Sequence, residues 1–402
     1  MIGLEEIRLA QRRIAASIPV SPCPRSEAFS AMTGNEVYLK LENRQRTGSY
    51  KERGALNRIL TLDPEERRRG LIAASAGNHA QGVAYHAGRL GLRVEICMPL
   101  GTPLTKLMAT RGFGADVTLL GARYEEAETE AQRRADSGQL TFIHPFDDDA
   151  VIAGQGTVGL ELEEQVPQVQ VVLVAIGGGG LASGVACALK EKNPAVEVIG
   201  VQAARLPSMQ RAVETGRRVT VPAATTLAEG IAVRRAGERT LPMVRKYVDT
   251  VVTVEEEEIA SAVLMLLERE KMLAEGAGAA ALAALLHGKT AISGKKVVVV
   301  ISGGNMDVTL LSRIIERGLV ADGRLLRLRV HFPDYPGSLH RLTGVLAGLR
   351  TNIVATSYDR AYFGVNFGDT TIDLTLETRG ATHIEEVSAA LGREGYVFDR
   401  IL

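Results

Sequence analysis

The sequence predicts an α/β protein with mainly parallel sheet, followed by a small unit of order βαββαβ. Three observations carry this. Short apolar runs recur along most of the 402 residues, and many end in glycine or small polar residues. Between them lie alanine- and charge-rich stretches with helical spacing, and strands alternating with helices make parallel βαβ units. The last stretch changes to alternating strand patterns around two helical segments.

Taken in order, Leu71–Ala74 runs into Ser-Ala-Gly-Asn-His, Arg93–Met98 into Pro99, and Val117–Leu120 into Gly121. Val171–Ile176 meets four glycines, Val196–Val201 follows, and Val297–Ile301 enters Ser-Gly-Gly-Asn. Glu125–Asp136 and Glu256–Met272 have helical spacing. In parallel sheets of this kind ligands bind beyond the carboxyl ends of the strands, where these glycine loops lie. In the tail, Leu325–Phe332, Asn352–Tyr358, Thr370–Thr378 and Tyr396–Ile401 read as strands. Pro336–Leu349 and Thr382–Glu394 read as helices. That is the ferredoxin-like split unit. We expect domains at residues 1–322 and 323–402, divided near Ala321-Asp322-Gly323.

Composition narrows the function. Lys+Arg and Asp+Glu both number 47, so the net charge is zero. This argues against a nucleic-acid binder, which carries a basic footprint. The first residues lack the apolar core of a signal peptide and no window is long and apolar enough to span a membrane. A cytoplasmic protein is the expectation. Cys23, Cys97 and Cys187 are far apart and form no metal or redox spacing, so no metal site is expected. Glycine is in excess: 42 residues, about 10% against the usual ~7%.

Four segments carry chemistry. Lys51, in Thr47-Gly48-Ser49-Tyr50-Lys51-Glu52-Arg53-Gly54-Ala55, lies where a small-residue loop enters a helix. A helix N-terminus disfavours a cation, a setting that lowers an amine's pKa as a Schiff-base lysine requires. The plainer alternative is a solvated lysine. Ser75-Ala76-Gly77-Asn78-His79 follows a strand and opens a helix whose free N–H groups can hold a carboxylate. An ordinary cap by Ser75 or Asn78 is the plainer reading, and His79 can equally be a packed histidine. Gly177-Gly178-Gly179-Gly180-Leu181 follows the strongest strand and can turn backbone N–H groups onto a phosphate. No Lys-Ser/Thr follows, so it is not a nucleoside-triphosphate loop. A dinucleotide fingerprint can be laid on Gly177, Gly179 and Ala182, a permitted terminal Ala, with Glu197 about 20 residues on, and stays open as a weak alternative. Ser302-Gly303-Gly304-Asn305 is a second nest or a tight turn, and Glu275 suits the start of an alanine-rich helix. An amine, a phosphate nest, a carboxylate nest and a neutral hydrogen-bonder are the parts that pyridoxal phosphate needs.

At these residues the chain resembles the fold-type II pyridoxal-phosphate enzymes and, within them, the threonine dehydratases. S-Y-K-E-R-G-A is similar to their cofactor-lysine motif, with Tyr50 where Phe is usual. S-A-G-N-H-A-Q-G resembles the substrate-carboxylate loop, G-G-G-G-L the phosphate loop and S-G-G-N the segment facing the pyridine nitrogen. H-P-F-D-D from His144 and G-Q-G-T from Gly154 agree as well. The resemblance implies a two-lobed, tryptophan synthase β-like fold, its smaller lobe at about residues 50–150. It implies pyridoxal 5'-phosphate as cofactor and Lys51 and Ser302 as catalytic residues. Cofactor contacts would come from Tyr50, Lys51, Asn78, Gly177, Gly178, Gly179, Gly180, Leu181, Glu275 and Ser302. Substrate contacts would come from Ser75, Ala76, Gly77, Asn78 and His79. The implied reaction is deamination of threonine to 2-oxobutyrate and ammonia, with serine giving pyruvate, in isoleucine biosynthesis.

The tail, with D-Y-P-G-S-L at Asp334–Leu339, resembles an ACT or ACT-like regulatory domain. That resemblance implies an amino-acid effector, allosteric control and a homodimer or homotetramer. Gln202 stands where serine racemases carry a metal-binding Glu, which weighs against the alternative of a racemase or related β-eliminating lyase. A non-catalytic amino-acid sensor is the alternative from another class. Fifteen glycines lie in these motifs or, as Gly184, Gly276 and Gly278, just after them, and we expect this excess to bring backbone close to the cofactor.

Overall fold

Val171–Ala175 and Lys296–Ile301 are apolar without alternation, as strands covered on both faces must be. In the computed structural model, which describes residues 1–359 and 368–401, they lie at the centre of a sheet. The chain divides into two compact units, Met1–Asp307 and Val308–Leu402.

The first unit holds nine strands: β1 (Glu36–Leu41), β2 (Leu71–Ala74), β3 (Val94–Met98), β4 (Asp116–Leu119), β5 (Thr141–Phe142), β6 (Val171–Ala175), β7 (Glu197–Ala203), β8 (Thr250–Val254) and β9 (Lys296–Ile301). They make two parallel sheets, ordered β1-β9-β6-β7-β8 and β4-β3-β2-β5. The four-stranded sheet spans residues 71–142. The Gly276–Leu286 helix is buried along nearly its whole length beside the larger sheet, which its alanines and glycines permit.

Two helix crossings use glycines that the sequence had suggested for the cofactor. A Cβ on Gly154 would stand 2.7 Å from Gly54 Cα, and one on Gly184 would stand 2.4 Å from the Ile152 carbonyl. Gly54, Gly154, Gly156 and Gly184 therefore serve close helix packing between Lys51–Thr61, Asp149–Gln165 and Gly180–Lys190. This corrects the expectation that the whole glycine excess serves the cofactor.

Below Lys51 a charged cluster is fully enclosed. The Arg53 guanidinium donates to Glu42 at 2.8 Å through both Nε and Nη2, to Glu161 at 2.6 and 2.9 Å, and to Thr157 Oγ1 at 3.0 Å. Lys40 Nζ donates to Glu161 at 2.5 Å. Two cations face two carboxylates, so the charges balance and the guanidinium fork is filled. The cluster ties the start of the Lys51–Thr61 helix to β1 and to the Asp149–Gln165 helix.

The second unit contains β10 (Leu325–Pro333), β11 (Asn352–Asp359), β12 (Asp369–Glu377) and β13 (Val397–Arg400), with helices Ser338–Gly348 and Ala381–Arg393. The order is βαββαβ and the sheet is antiparallel, β11-β12-β10-β13. Leu326, Leu328, Val330 and Phe332 alternate into its core. The unit begins at Val308 rather than Gly323, because the Val308–Ala321 helix packs on β10. Residues 360–367 and 402 of the expected 323–402 tail lie outside the described residues.

Candidate active site

Lys51 opens the Lys51–Thr61 helix, and Tyr50 precedes it. The incoming loop is laid along the end of β9: Ser49 bridges Gly303, Tyr50 N donates to the Ser302 carbonyl at 3.1 Å, and Gly304 N donates to the Gly48 carbonyl at 2.9 Å. Lys51 Nζ donates to the Pro145 carbonyl at 2.8 Å and lies 5.3 Å from the centre of the Tyr50 ring. Desolvation lowers the amine to about 8, against the opposing charge of Glu275. Its side chain is half-buried and bonded to the Pro145 carbonyl, which weighs against the solvated alternative.

The glycine loop runs from β6 into the Gly180–Lys190 helix, whose N-terminus has no side-chain cap. Gly179 has φ +102°, a conformation other residues rarely adopt. Phe146 fills the space beside it: a Cβ on Gly178 would stand 2.4 Å from the ring. Thr240 Oγ1 donates to the Gly178 carbonyl at 2.5 Å. Asp147 in turn accepts from the backbone N–H groups of Glu238, Arg239 and Thr240. Pro145-Phe146-Asp147 thus touches the lysine with one residue and supports the glycine loop with the next two. Leu181 is 3% exposed and its side chain belongs to the core beside the five-stranded sheet. Only its backbone can serve a ligand.

The Ser75–Asn78 loop leaves β2 and enters the Asn78–Arg89 helix. Ser75 Oγ accepts from Gly77 N at 3.1 Å, and no side chain caps the helix. This corrects the plainer reading of a cap by Ser75 or Asn78. A Cβ added to Gly77 would meet nothing within 4 Å, so there is open space beside the loop, next to Ala76. His79 is buried, and its Nε2 donates to the Ile143 carbonyl at 2.8 Å. Burial lowers it to about 3, so it is neutral, and its side chain serves packing. His144 Nδ1 accepts from Phe146 N at 3.1 Å and Asp147 N at 2.7 Å, so its proton sits on Nε2.

Ser302, Glu275 and Asn78 converge from three elements. Ser302 is 3% exposed, with Oγ 3.4 Å from the Ala277 carbonyl. Glu275 precedes the Gly276–Leu286 helix without capping it by its side chain. Instead it accepts from Asn78 Nδ2 at 2.7 Å. Desolvation raises the Glu275 carboxyl to about 7, partly offset by the Asn78 bond. A carboxylate placed only for the helix dipole would have no such partner. Gln202 Oε1 accepts from Gln210 N at 2.8 Å.

Sequence reasoning assigned no role to Asn305, Pro145, Phe146, Asp147 or Thr240. Asn305 and the His144–Asp148 run were visible within motifs, but what the Asn305 amide, the Pro145 carbonyl, the Phe146 ring and the Asp147 carboxylate touch is set by the fold. Thr240 carried no signal at all.

The residues fit a phosphorylated aldehyde. Among the described residues the amine makes no ion pair, an uncapped glycine nest offers N–H groups to a phosphate, and a hydroxyl and an amide complete the set. The comparisons agree. The chain is 48% identical over 396 residues to an L-threonine ammonia-lyase of Thermotoga maritima, covering 98% of each. The processed form of threonine deaminase isoform 2 from Solanum lycopersicum superposes with a TM-score of 0.73 at 37% identity, over 78% of this chain and 93% of that one. Maize serine racemase gives 0.74 at 34% identity, over 79% and 98%. The family model described as pyridoxal-phosphate dependent enzyme matches residues 14–303. Cofactor nest, desolvated lysine and sequence agree: the chain belongs to the family of pyridoxal-phosphate dependent enzymes.

Proposed function

We propose that this protein is a pyridoxal-phosphate-dependent threonine ammonia-lyase, converting L-threonine to 2-oxobutyrate and ammonia and L-serine to pyruvate. The observation that carries the reading is the desolvated Lys51 amine, together with near full-length similarity to an L-threonine ammonia-lyase. When bound, the cofactor supplies the electron sink that makes the amino acid's Cα–H acidic.

In this reading Lys51 would hold the cofactor and, as a neutral amine, would take the substrate's α-proton. An amine at about 8 has a neutral fraction near neutrality, which that work needs. The N–H groups of Gly177, Gly178, Gly179 and Gly180, with Leu181 N, hold the phosphate. Tyr50 offers an aromatic face. Ser302 would offer the ring nitrogen a neutral hydroxyl in place of the charge an Asp would bring, a setting that would favour loss of the β-hydroxyl over transamination. Asn78 hydrogen-bonds the ring oxygen and Glu275 borders the site. Ser75, Ala76, Gly77 and the first N–H groups of the following helix, at Asn78 and His79, hold the substrate carboxylate. One methyl in an apolar pocket discriminates by only ~1–3 kcal/mol, so both threonine and serine are accepted.

The Val308–Leu402 unit is proposed as an ACT-like regulatory domain for an amino-acid effector. It would act within a cytoplasmic homodimer or homotetramer serving isoleucine biosynthesis. Among the described residues no helix is long and apolar enough to cross a membrane.

Product analysis tests the reading. L-Threonine should yield 2-oxobutyrate and ammonia in equal amounts. Interconversion of L- and D-serine without keto acid would replace it with the racemase reading, which the likeness to maize serine racemase keeps as second. The Gln202 amide weighs against that second reading, because its oxygen is neutral and already accepts from Gln210.

A further inference from the structure

Asn78 sits in a chain of amide hydrogen bonds whose direction is fixed at one end. Asn305 Nδ2 lies 2.7 Å from the Thr47 carbonyl, which can only accept, so this atom is the nitrogen. The same nitrogen donates to Asn78 Oδ1 at 2.8 Å and lies 3.4 Å from Gln81 Oε1. Asn78 Oδ1 is thereby the oxygen, and Asn78 Nδ2 donates to Glu275 Oε1 at 2.7 Å. One N–H of Asn78 is left with no acceptor among the described residues.

The relay is held rigidly at both ends. Gly48, at φ +74°, lets Asn305 lie against the backbone: a Cβ there would stand 2.4 Å from Asn305 Oδ1. Glu275 N donates to the Gly303 carbonyl at 3.1 Å, and a Cβ on Gly303 would stand 2.6 Å from Glu275 Oε1. Segment 302–305 therefore abuts both the donor and the acceptor that bracket Asn78.

We infer that Asn305 is a positioning residue that sets the rotation of the Asn78 amide. In that rotation Asn78 presents an N–H, and not its carbonyl, to an anionic oxygen on the cofactor ring. A flipped amide would place oxygen against the Glu275 carboxyl and oxygen against the cofactor oxygen, two acceptor–acceptor contacts at once. Asn305 opposes the flip because Thr47 fixes its nitrogen toward Asn78, so a flip would also set the Asn78 NH2 group against that nitrogen, donor to donor. The inference rests on the proposed contact between Asn78 and the cofactor.

A double-mutant cycle on cofactor affinity tests it, with dissociation of the holoprotein followed by absorbance and no turnover involved. Asn305→Ala should weaken cofactor binding about tenfold, the size of one hydrogen bond to a charged group. In an Asn78→Ala background the same change should alter binding less than about twofold, since nothing remains to be oriented. An equal loss in both backgrounds, or no loss in either, overturns the relay. If Asn305→Ala does not fold, Asn305→Asp runs the same cycle: it keeps the volume and removes both N–H donors. Asn78→Ala with unchanged cofactor affinity would instead overturn the proposed contact of Asn78, and the relay with it.

Discussion

The amine of Lys51 and the carbonyl of Pro145 are joined by a 2.8 Å hydrogen bond across two segments that are 94 residues apart in sequence. A carbonyl neutralises no charge. The amine is thereby held in place without the ion pair that would keep it protonated, and desolvation sets its proton affinity at about 8.

Cofactor capture should follow that value. Only the neutral amine attacks an aldehyde, so capture by the cofactor-free protein should rise about tenfold per pH unit below about 8 and level off above it. Stopped-flow absorbance measures this. A rate still climbing steadily toward 10 would mean an ordinary lysine.

Glu275 gives the cofactor-free protein a second pH dependence. Its carboxyl titrates at about 7 when folded and at an ordinary 4.5 when unfolded. Between those values the folded state holds the extra proton, so stability falls as pH rises from about 4.5 to about 7. Glu275→Gln should flatten that part of the denaturation profile, measured by urea unfolding at several pH values.

Arg53 neutralises two enclosed carboxylates. Arg53→Met leaves Glu42 unpaired and leaves Glu161 only Lys40, which should cost about 3–5 kcal/mol. Equilibrium unfolding in denaturant checks the size, and a loss below about 1 kcal/mol would show that the cluster is not a closed ion network.

Asp147 holds three N–H groups at the start of the Thr240–Tyr247 helix. Asp147→Ala should lower stability by about 1–2 kcal/mol, as loss of a helix cap does. Because Thr240 Oγ1 also supports the Gly178 carbonyl, cofactor affinity should fall as well, read by equilibrium dialysis.

Most of the architecture was legible because its signals are local. Leu71–Ala74 is a strand as read, and the tail strands and helices fall within two residues of their expected ends. β1, β5 and β8 were not read. Glu36–Leu41 carries Glu36 and Lys40 among its apolar residues, and Thr141–Phe142 is only two residues long. Lys40 belongs in a strand because Glu161 and Gln165 satisfy its ammonium, a fact of tertiary pairing.

The site was legible where side-chain chemistry is rare: a lysine at a helix start and four successive glycines. It was not legible where the backbone acts. Pro145 contributes a carbonyl, and Gly54 and Gly154 contribute the absence of a Cβ at a helix crossing. Asn305 was quoted within a motif, yet its bond to Thr47 required the fold that brings β9 against the loop before Lys51.

Which lysine carries the cofactor can be read directly. The holoprotein is reduced with borohydride, digested, and searched by mass spectrometry for the fixed phosphopyridoxyl group. A single modified peptide is expected, with the group on Lys51. Modification of a different lysine, or none, would contradict it.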